Sequence, residues 1–391
     1  MLNLGWIDFS KSDRDMVLSV LRQLTEPGAV DELGIGTIRD GFSDILFPGT
    51  STIQTRAKYL FIIPYICLEL ERGKKLLPRQ FIEALEQREL DLIDILDVNG
   101  AEGVIGKLSR QTLRRKPSSI YWSALRTYGF ISEPVTLSEY AELFHARKAA
   151  SEREKGLGKR KAENEDDTTD DTDAGMSGAA FWRVPAAKEN WRESLTIKLT
   201  LDEATYLRER ITSMPGTRDS LLAFVLRENR LDFTKYAKLD DIYTMQSIMP
   251  PELLRDYKLA RDFSRFIFGA QVRYNVIYSD GQNNLANELW AQYKEERPSV
   301  SLADVQTRLM PRANVMRFLK AYKSAIDNEG ELDSLIIRRE KEIKGAARAK
   351  LTNTELYKYD DNNVNMSPLV YRLPNAQRIV KDIFEGVGNH A

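Results

Sequence analysis

A chain of 391 residues with a formal charge of -1 is too long for one minimal core and is no polycation, so any polyanion contact must come from local patches of Lys and Arg. One cysteine and two histidines exclude a Cys/His zinc site, a two-histidine phospholipase D-type centre and an internal disulfide. Met1 to Trp6 lacks the basic start and apolar run of a signal peptide, and Tyr59–Leu68, broken by Pro64, falls short of the ~20 residues that cross a bilayer; the expectation is a soluble, cytoplasmic protein without membrane contact.

Ser10-Lys11-Ser12-Asp13 has the form of a capping box, and Met16, Val17, Val20, Leu21 and Leu24 follow at helical spacing up to Pro27-Gly28. Gly34-Ile35-Gly36 and Gly41 follow no strand, so they do not make a dinucleotide-binding loop. Phe47-Pro48-Gly49-Thr50 is a turn, and Thr50, Ser51 or Thr52 can cap the helix that follows. With Arg56 nearby, Thr50, Ser51 and Thr52 can hold a phosphate at that helix start; the plainer reading is a cap, with Arg56 paired to a carboxylate such as Asp40 or Asp44. The run Tyr59–Leu68, which includes Cys67, is apolar on every side, as in a helix surrounded by other helices, and Pro64 predicts a kink.

Leu76 to Val98 reads as a pair of amphipathic helices, with Asp91, Asp94 and Asp97 either offering ligands to a hard metal or forming a solvated acidic face. Arg114, Arg115 and Lys116 precede Pro117-Ser118-Ser119 and the helix Ile120–Leu125; Gly129 stops it, and Thr136-Leu137-Ser138-Glu139 caps the next. Such a helix pair behind a basic cluster is either plain packing or a helix-turn-helix. His145 would have to serve any Ser-His-Asp triad, and no Gly-x-Ser-x-Gly elbow accompanies it; carboxylates with Mg²⁺ are the remaining route to catalysis.

From about Arg147 periodicity fades, and residues 163–173 are mostly Asp, Glu and Thr, which reads as a charged linker or loop. The core returns at Phe181, Trp182 and Trp191. Leu195 to Leu199 alternates like a short strand, and Thr200-Leu201-Asp202-Glu203 starts a helix. A long helix is predicted from Pro250 to about Tyr278, with Leu259, Phe263, Phe266, Ile267 and Ala270 inward and Arg255, Lys258, Arg261 and Arg265 outward. Leu332 to Leu351 reads as one basic helix, Leu332, Leu335, Ile336, Ile343 and Ala347 facing the core and Arg338, Lys341, Lys344 and Arg348 along another side. Asp333 with Glu342-Ile343-Lys344 is loosely nuclease-like, but on a helix Glu342 and Lys344 diverge.

The fold class is therefore mainly α, a two-domain helical bundle with at most a few short strands: 1–148 N-terminal domain, 149–178 linker, 179–391 C-terminal domain. Gly5-Trp6-Ile7-Asp8-Phe9, Glu32-Leu33-Gly34-Ile35-Gly36, Phe47-Pro48-Gly49-Thr50-Ser51-Thr52 and Arg115-Lys116-Pro117-Ser118-Ser119-Ile120-Tyr121-Trp122 together resemble a bacterial family of unknown function associated with phage-defence gene clusters. The resemblance implies a cytoplasmic subunit beside DNA-processing partners, a helicase or nuclease, and brings no catalytic residues or cofactor. The leading reading is a non-enzymatic accessory subunit contacting DNA or RNA, or a partner protein, with Arg338, Arg339, Lys341, Lys344, Arg348, Arg114, Arg115 and Lys116 as phosphate contacts. A Mg-dependent phosphate-ester enzyme using Thr50, Ser51, Thr52 and Arg56, and a pure scaffold, are the alternatives.

Overall fold

Helical periodicity carries through to the fold. The computed structural model describes residues 32–98, 101–162, 181–360 and 366–388, which are mainly helical and contain no strand. In chain order the α-helices are α1 (Gly36–Leu46), α2 (Tyr59–Arg72), α3 (Pro78–Leu96), α4 (Pro117–Thr127), α5 (Leu137–Ala162), α6 (Leu201–Ser213) and α7 (Leu221–Arg227). They continue with α8 (Pro251–Tyr278), α9 (Asn284–Glu296), α10 (Leu302–Leu309), α11 (Ala313–Ala325), α12 (Glu329–Lys344) and α13 (Leu373–Gly386). The predicted helix over 10–24, the acidic stretch 163–173 and His390 lie outside the described residues.

Two compact units share the chain, and they are not its successive halves. The first comprises residues 1–47 and 236–374, the second 48–235 and 375–391. These boundaries differ from the 149–178 cut that composition suggested; the first part of that stretch is the continuation of α5, helical to Ala162. Composition reports where a chain loses its apolar pattern, whereas a unit is defined by which segments return to pack, and here both units are closed by a distant segment.

In the first unit α8 is the spine. Its Phe263, Phe266, Ile267 and Ala270 are buried as the spacing predicts, whereas Leu259, also expected inward, is only half-buried. Gly269 faces Tyr293 of α9: a Cβ there would lie 2.1 Å from the tyrosine ring, whose hydroxyl donates to the Phe266 carbonyl at 2.8 Å. Only glycine allows that approach, at about 1 kcal/mol of helix propensity. Arg273, lower on α8, donates to Asp333 at 2.6 and 2.7 Å and to Glu329 at 2.8 Å, which ties α12 to the spine.

In the second unit α2 is the buried element. Every residue from Tyr59 to Cys67 is buried, Pro64 included, and α3 and α4 pack on it. Two ion pairs flank its start, the buried Lys58 with Glu203 at 2.7 Å and the half-buried Arg56 with the buried Asp382 at 2.8 Å. Glu203 also completes the predicted capping box of α6, accepting from the Thr200 N–H at 2.8 Å while its own N–H donates to the Thr200 hydroxyl at 3.3 Å. Thr136 and Glu139 make the same reciprocal pair at the start of α5. Leu195, Ile197 and Leu199 are buried in alternation as predicted, yet they form no strand, because no segment among the described residues pairs with them in a ladder.

Candidate functional site

In the first unit α11 and α12 pack side by side, and two facing stripes leave a groove between them. Asn314, Arg317 and Ala321 recur at helical spacing on α11, and Leu335, Arg338 and Glu342 do so on α12. With Phe318 and Arg339 they enclose a groove of about 200 Å³. The sequence builds α12 firmly: Asn328 caps it, Glu329 and Glu331 lie in its first turn and Lys341 and Lys344 in its last, as the helix dipole favours. Gly345, at φ +78°, ends it.

That glycine corrects the reading of 332–351 as one helix. Beyond Lys344 the chain continues in two short 3₁₀ turns, Ala346–Arg348 and Lys350–Thr352. Ile343 is 37% exposed and Ala347 is exposed, so neither faces the core.

The predicted phosphate contacts separate into two groups. Arg338 and Lys341 are exposed and have no acceptor among the described residues, and Arg348 is exposed with only its Nε engaged, on the Lys344 carbonyl at 3.0 Å. Arg339 is 2% exposed. Its Nε donates to the Leu33 carbonyl at 2.9 Å, its guanidinium lies 5.1 Å from the Phe318 ring centre, and burial draws its pKa below the usual arginine value. Lys344 is held between Glu32 at 2.7 Å and Glu340 at 3.1 Å. Glu340, fully buried, also accepts from the Tyr274 hydroxyl at 2.6 Å and from the N–H groups of Lys350 and Leu351, both at 3.0 Å. Arg339 and Lys344 are therefore engaged internally and anchor α12, Arg339 from the wall of the groove. In the second unit Arg114 and Arg115 are exposed without an acceptor among the described residues, while Lys116 donates to the Leu113 carbonyl at 2.6 Å.

Arg317, which faces Arg338 across the groove, was absent from the sequence reading, as were Arg312 and Lys320, both exposed. A signal existed: from Val305 to Ile326 the chain carries five cations and no carboxylate. Two of the five are engaged, Arg308 with Asp256 at 2.8 Å and Lys323 with the Val300 carbonyl at 3.0 Å. Arg312, Arg317 and Lys320 have no acceptor among the described residues.

Other expected features are matched internally. Arg56 donates through Nε and Nη2 to Asp382 and through Nη1 to the Glu102 carbonyl, so its partner is neither Asp40 nor Asp44, and its guanidinium is already engaged. Thr50, Ser51 and Thr52 do not cap α2, which begins only at Tyr59 without a side-chain cap. Asp94 and Asp97 pair with Arg110, and Asp97 also with Lys107. The outward cations of α8 are largely neutralised: Arg255 pairs with Glu252, Arg261 with Asp262 and Arg265 with Asp240. Asp333 is bound to Arg273, and Glu342 and Lys344 lie on a helix, away from any nuclease geometry. Among the described residues no group of three or more His, Cys, Asp or Glu is placed to hold a metal, and no helix is long and apolar enough to cross a membrane.

The chain belongs to a family of unknown function, DUF6361, whose model matches residues 1–308. No curated protein and no solved structure gives a significant match. The α11–α12 groove lies just beyond the matched residues.

Proposed function

We propose that this family member is a non-enzymatic accessory subunit that contacts nucleic acid through basic helix faces, beside a DNA-processing partner, in the cytoplasm of a bacterium defending itself against phage. The observation that carries the nucleic-acid reading is the pair Arg317 and Arg338, exposed on facing helices and free of any acceptor among the described residues. Structural arginines are normally matched, as Arg339 and Arg273 are here, so exposed and unmatched ones on both walls of a groove are suited to phosphate oxygens. Lys341 on α12 and Lys320 on α11 are further exposed cations, joined by Arg348 in the 3₁₀ turn after α12 and Arg312 just before α11, and Arg114 and Arg115 form a separate basic face in the second unit. The bacterial phage-defence setting rests on the family resemblance alone.

Titration of labelled DNA and RNA between 50 and 200 mM salt tests the reading, with ionic strength varied because each duplex phosphate neutralised adds about 0.9 to the salt slope. The Arg317→Gln/Arg338→Gln variant is expected to bind several-fold more weakly, with a slope smaller by about two. Equal affinity and slope in wild type and variant would remove the groove from the interface.

A further inference from the structure

Among the described residues, every arginine that is buried or half-buried donates to a carboxylate, a main-chain carbonyl or a side-chain amide, with one exception. Arg56 is matched to Asp382, Arg210 to the carbonyls of Tyr128 and Gly129, and Arg372 to Asp44. Arg378 is half-buried and its guanidinium has no acceptor among the described residues.

Its position on α13 makes that exception informative. Asn375, three residues earlier, donates to the carbonyls of Thr52 at 3.3 Å and Gln54 at 2.8 Å. Asp382, four residues later, accepts from Arg56 at 2.8 Å and from the Ala57 N–H at 2.7 Å. Residues at this spacing share one helix face, so Arg378 stands between them on the stripe that packs against the 50–57 turn. An arginine stays charged, and one that is partly desolvated without a partner is a standing cost to the fold. Burial lowers its pKa; Asp382 and Glu102 act against that shift and Arg56 with it. Asp382 is already spent on Arg56 and Ala57. The same turn holds another unmatched donor, the Ser51 hydroxyl, which is shielded from solvent and makes no hydrogen bond.

We infer that Arg378 is held for a single oxyanion, the phosphate of a small phosphorylated molecule or inorganic phosphate itself, seated against the 50–57 turn with the Ser51 hydroxyl as a neutral donor. The carboxylates of Asp382 and Glu102 in the same field repel a run of phosphates more than one compact oxyanion, which sets this site apart from the α11–α12 groove. The site does not depend on the nucleic-acid reading.

Thermal unfolding and calorimetric titration of the full chain, with inorganic phosphate in one arm and a nucleoside monophosphate in the other, test it at constant ionic strength against chloride. Wild type is expected to give a saturable rise in Tm with phosphate, and a larger rise at equal concentration with the monophosphate if that is the class bound. Arg378→Met is expected to abolish the response and to raise Tm without ligand, because an unmatched charge has been replaced by an apolar side chain. Arg317→Gln/Arg338→Gln is expected to respond like wild type. Three outcomes overturn the inference: no response in wild type, a response that survives Arg378→Met, or an Arg378→Met protein less stable than wild type without ligand, which would make Arg378 a structural residue.

Discussion

The turn at 50–58 and the face shared by α11 and α12 both concentrate cations, and they dispose of them in opposite ways. In the turn, Arg56 and Lys58 are matched to Asp382 and Glu203, carboxylates that lie 326 and 145 residues away in sequence. On the α11–α12 face Arg317 and Arg338 meet no acid from elsewhere, and the nearby Glu342 is 3.6 Å from Arg339. Spacing of Lys and Arg along a helix therefore does not decide whether they are available. What decides it is whether the fold returns a carboxylate or a carbonyl to the same place.

The contrast can be broken hardest at the buried pairs. Glu203→Leu leaves Lys58 charged, 5% exposed and unmatched, and is expected to cost about 3–5 kcal/mol in urea denaturation. The double change Lys58→Met/Glu203→Leu should recover most of that loss, because what destabilises is the unmatched charge. A double variant as unstable as the single one would show that the capping of α6 matters more than the pair.

A second buried carboxylate sharpens the point through pH. Glu89 accepts from the Ser118 N–H at 2.5 Å and its hydroxyl at 2.9 Å, yet burial pushes its pKa up to about 8. The folded protein then keeps a proton that the unfolded chain has lost, so stability is expected to fall as pH rises from about 4.5 to about 8, by on the order of a few kcal/mol. Glu89→Gln should flatten that window. A wild-type profile that is level there, or that rises, contradicts the assignment.

The smallest effects belong to α12, where adjacent residues differ. Arg339→Ala should destabilise by about 2 kcal/mol, since it strands the Leu33 carbonyl and opens the contact with Phe318. Arg338→Ala should change stability by no more than about 0.5 kcal/mol while weakening polyanion binding. Equal losses of stability in the two variants would erase the distinction between anchor and contact.

Local features of this fold were legible in the sequence. The limits of α8 and the capping boxes at Thr136–Glu139 and Thr200–Glu203 follow from residues within one or two turns of each other. The all-round apolar character of α2 likewise marked it as an enclosed helix. Features that need a distant partner were not legible: the alternation at Leu195–Leu199 could not announce that no strand would pair with it, and nothing near Arg339 pointed to the Leu33 carbonyl. The end of α12 is intermediate, because Gly345 was visible and its stop signal was outweighed by the basic pattern running past it. Arg317 was recoverable from the stretch without carboxylates, had charge been summed along α11 as well as α12.

The second unit recruits α13 only after the chain has passed through the first, so the Ala57 N–H and Arg56 wait for a carboxylate 325 and 326 residues downstream. At a translation speed of 5–20 residues per second, that delay is roughly 15 to 65 s. For that interval the nascent second unit carries an unneutralised guanidinium where its last helix should dock. The pace of the ribosome between residues 57 and 382 thus sets how long this half-finished body is exposed to proteases and to clumping.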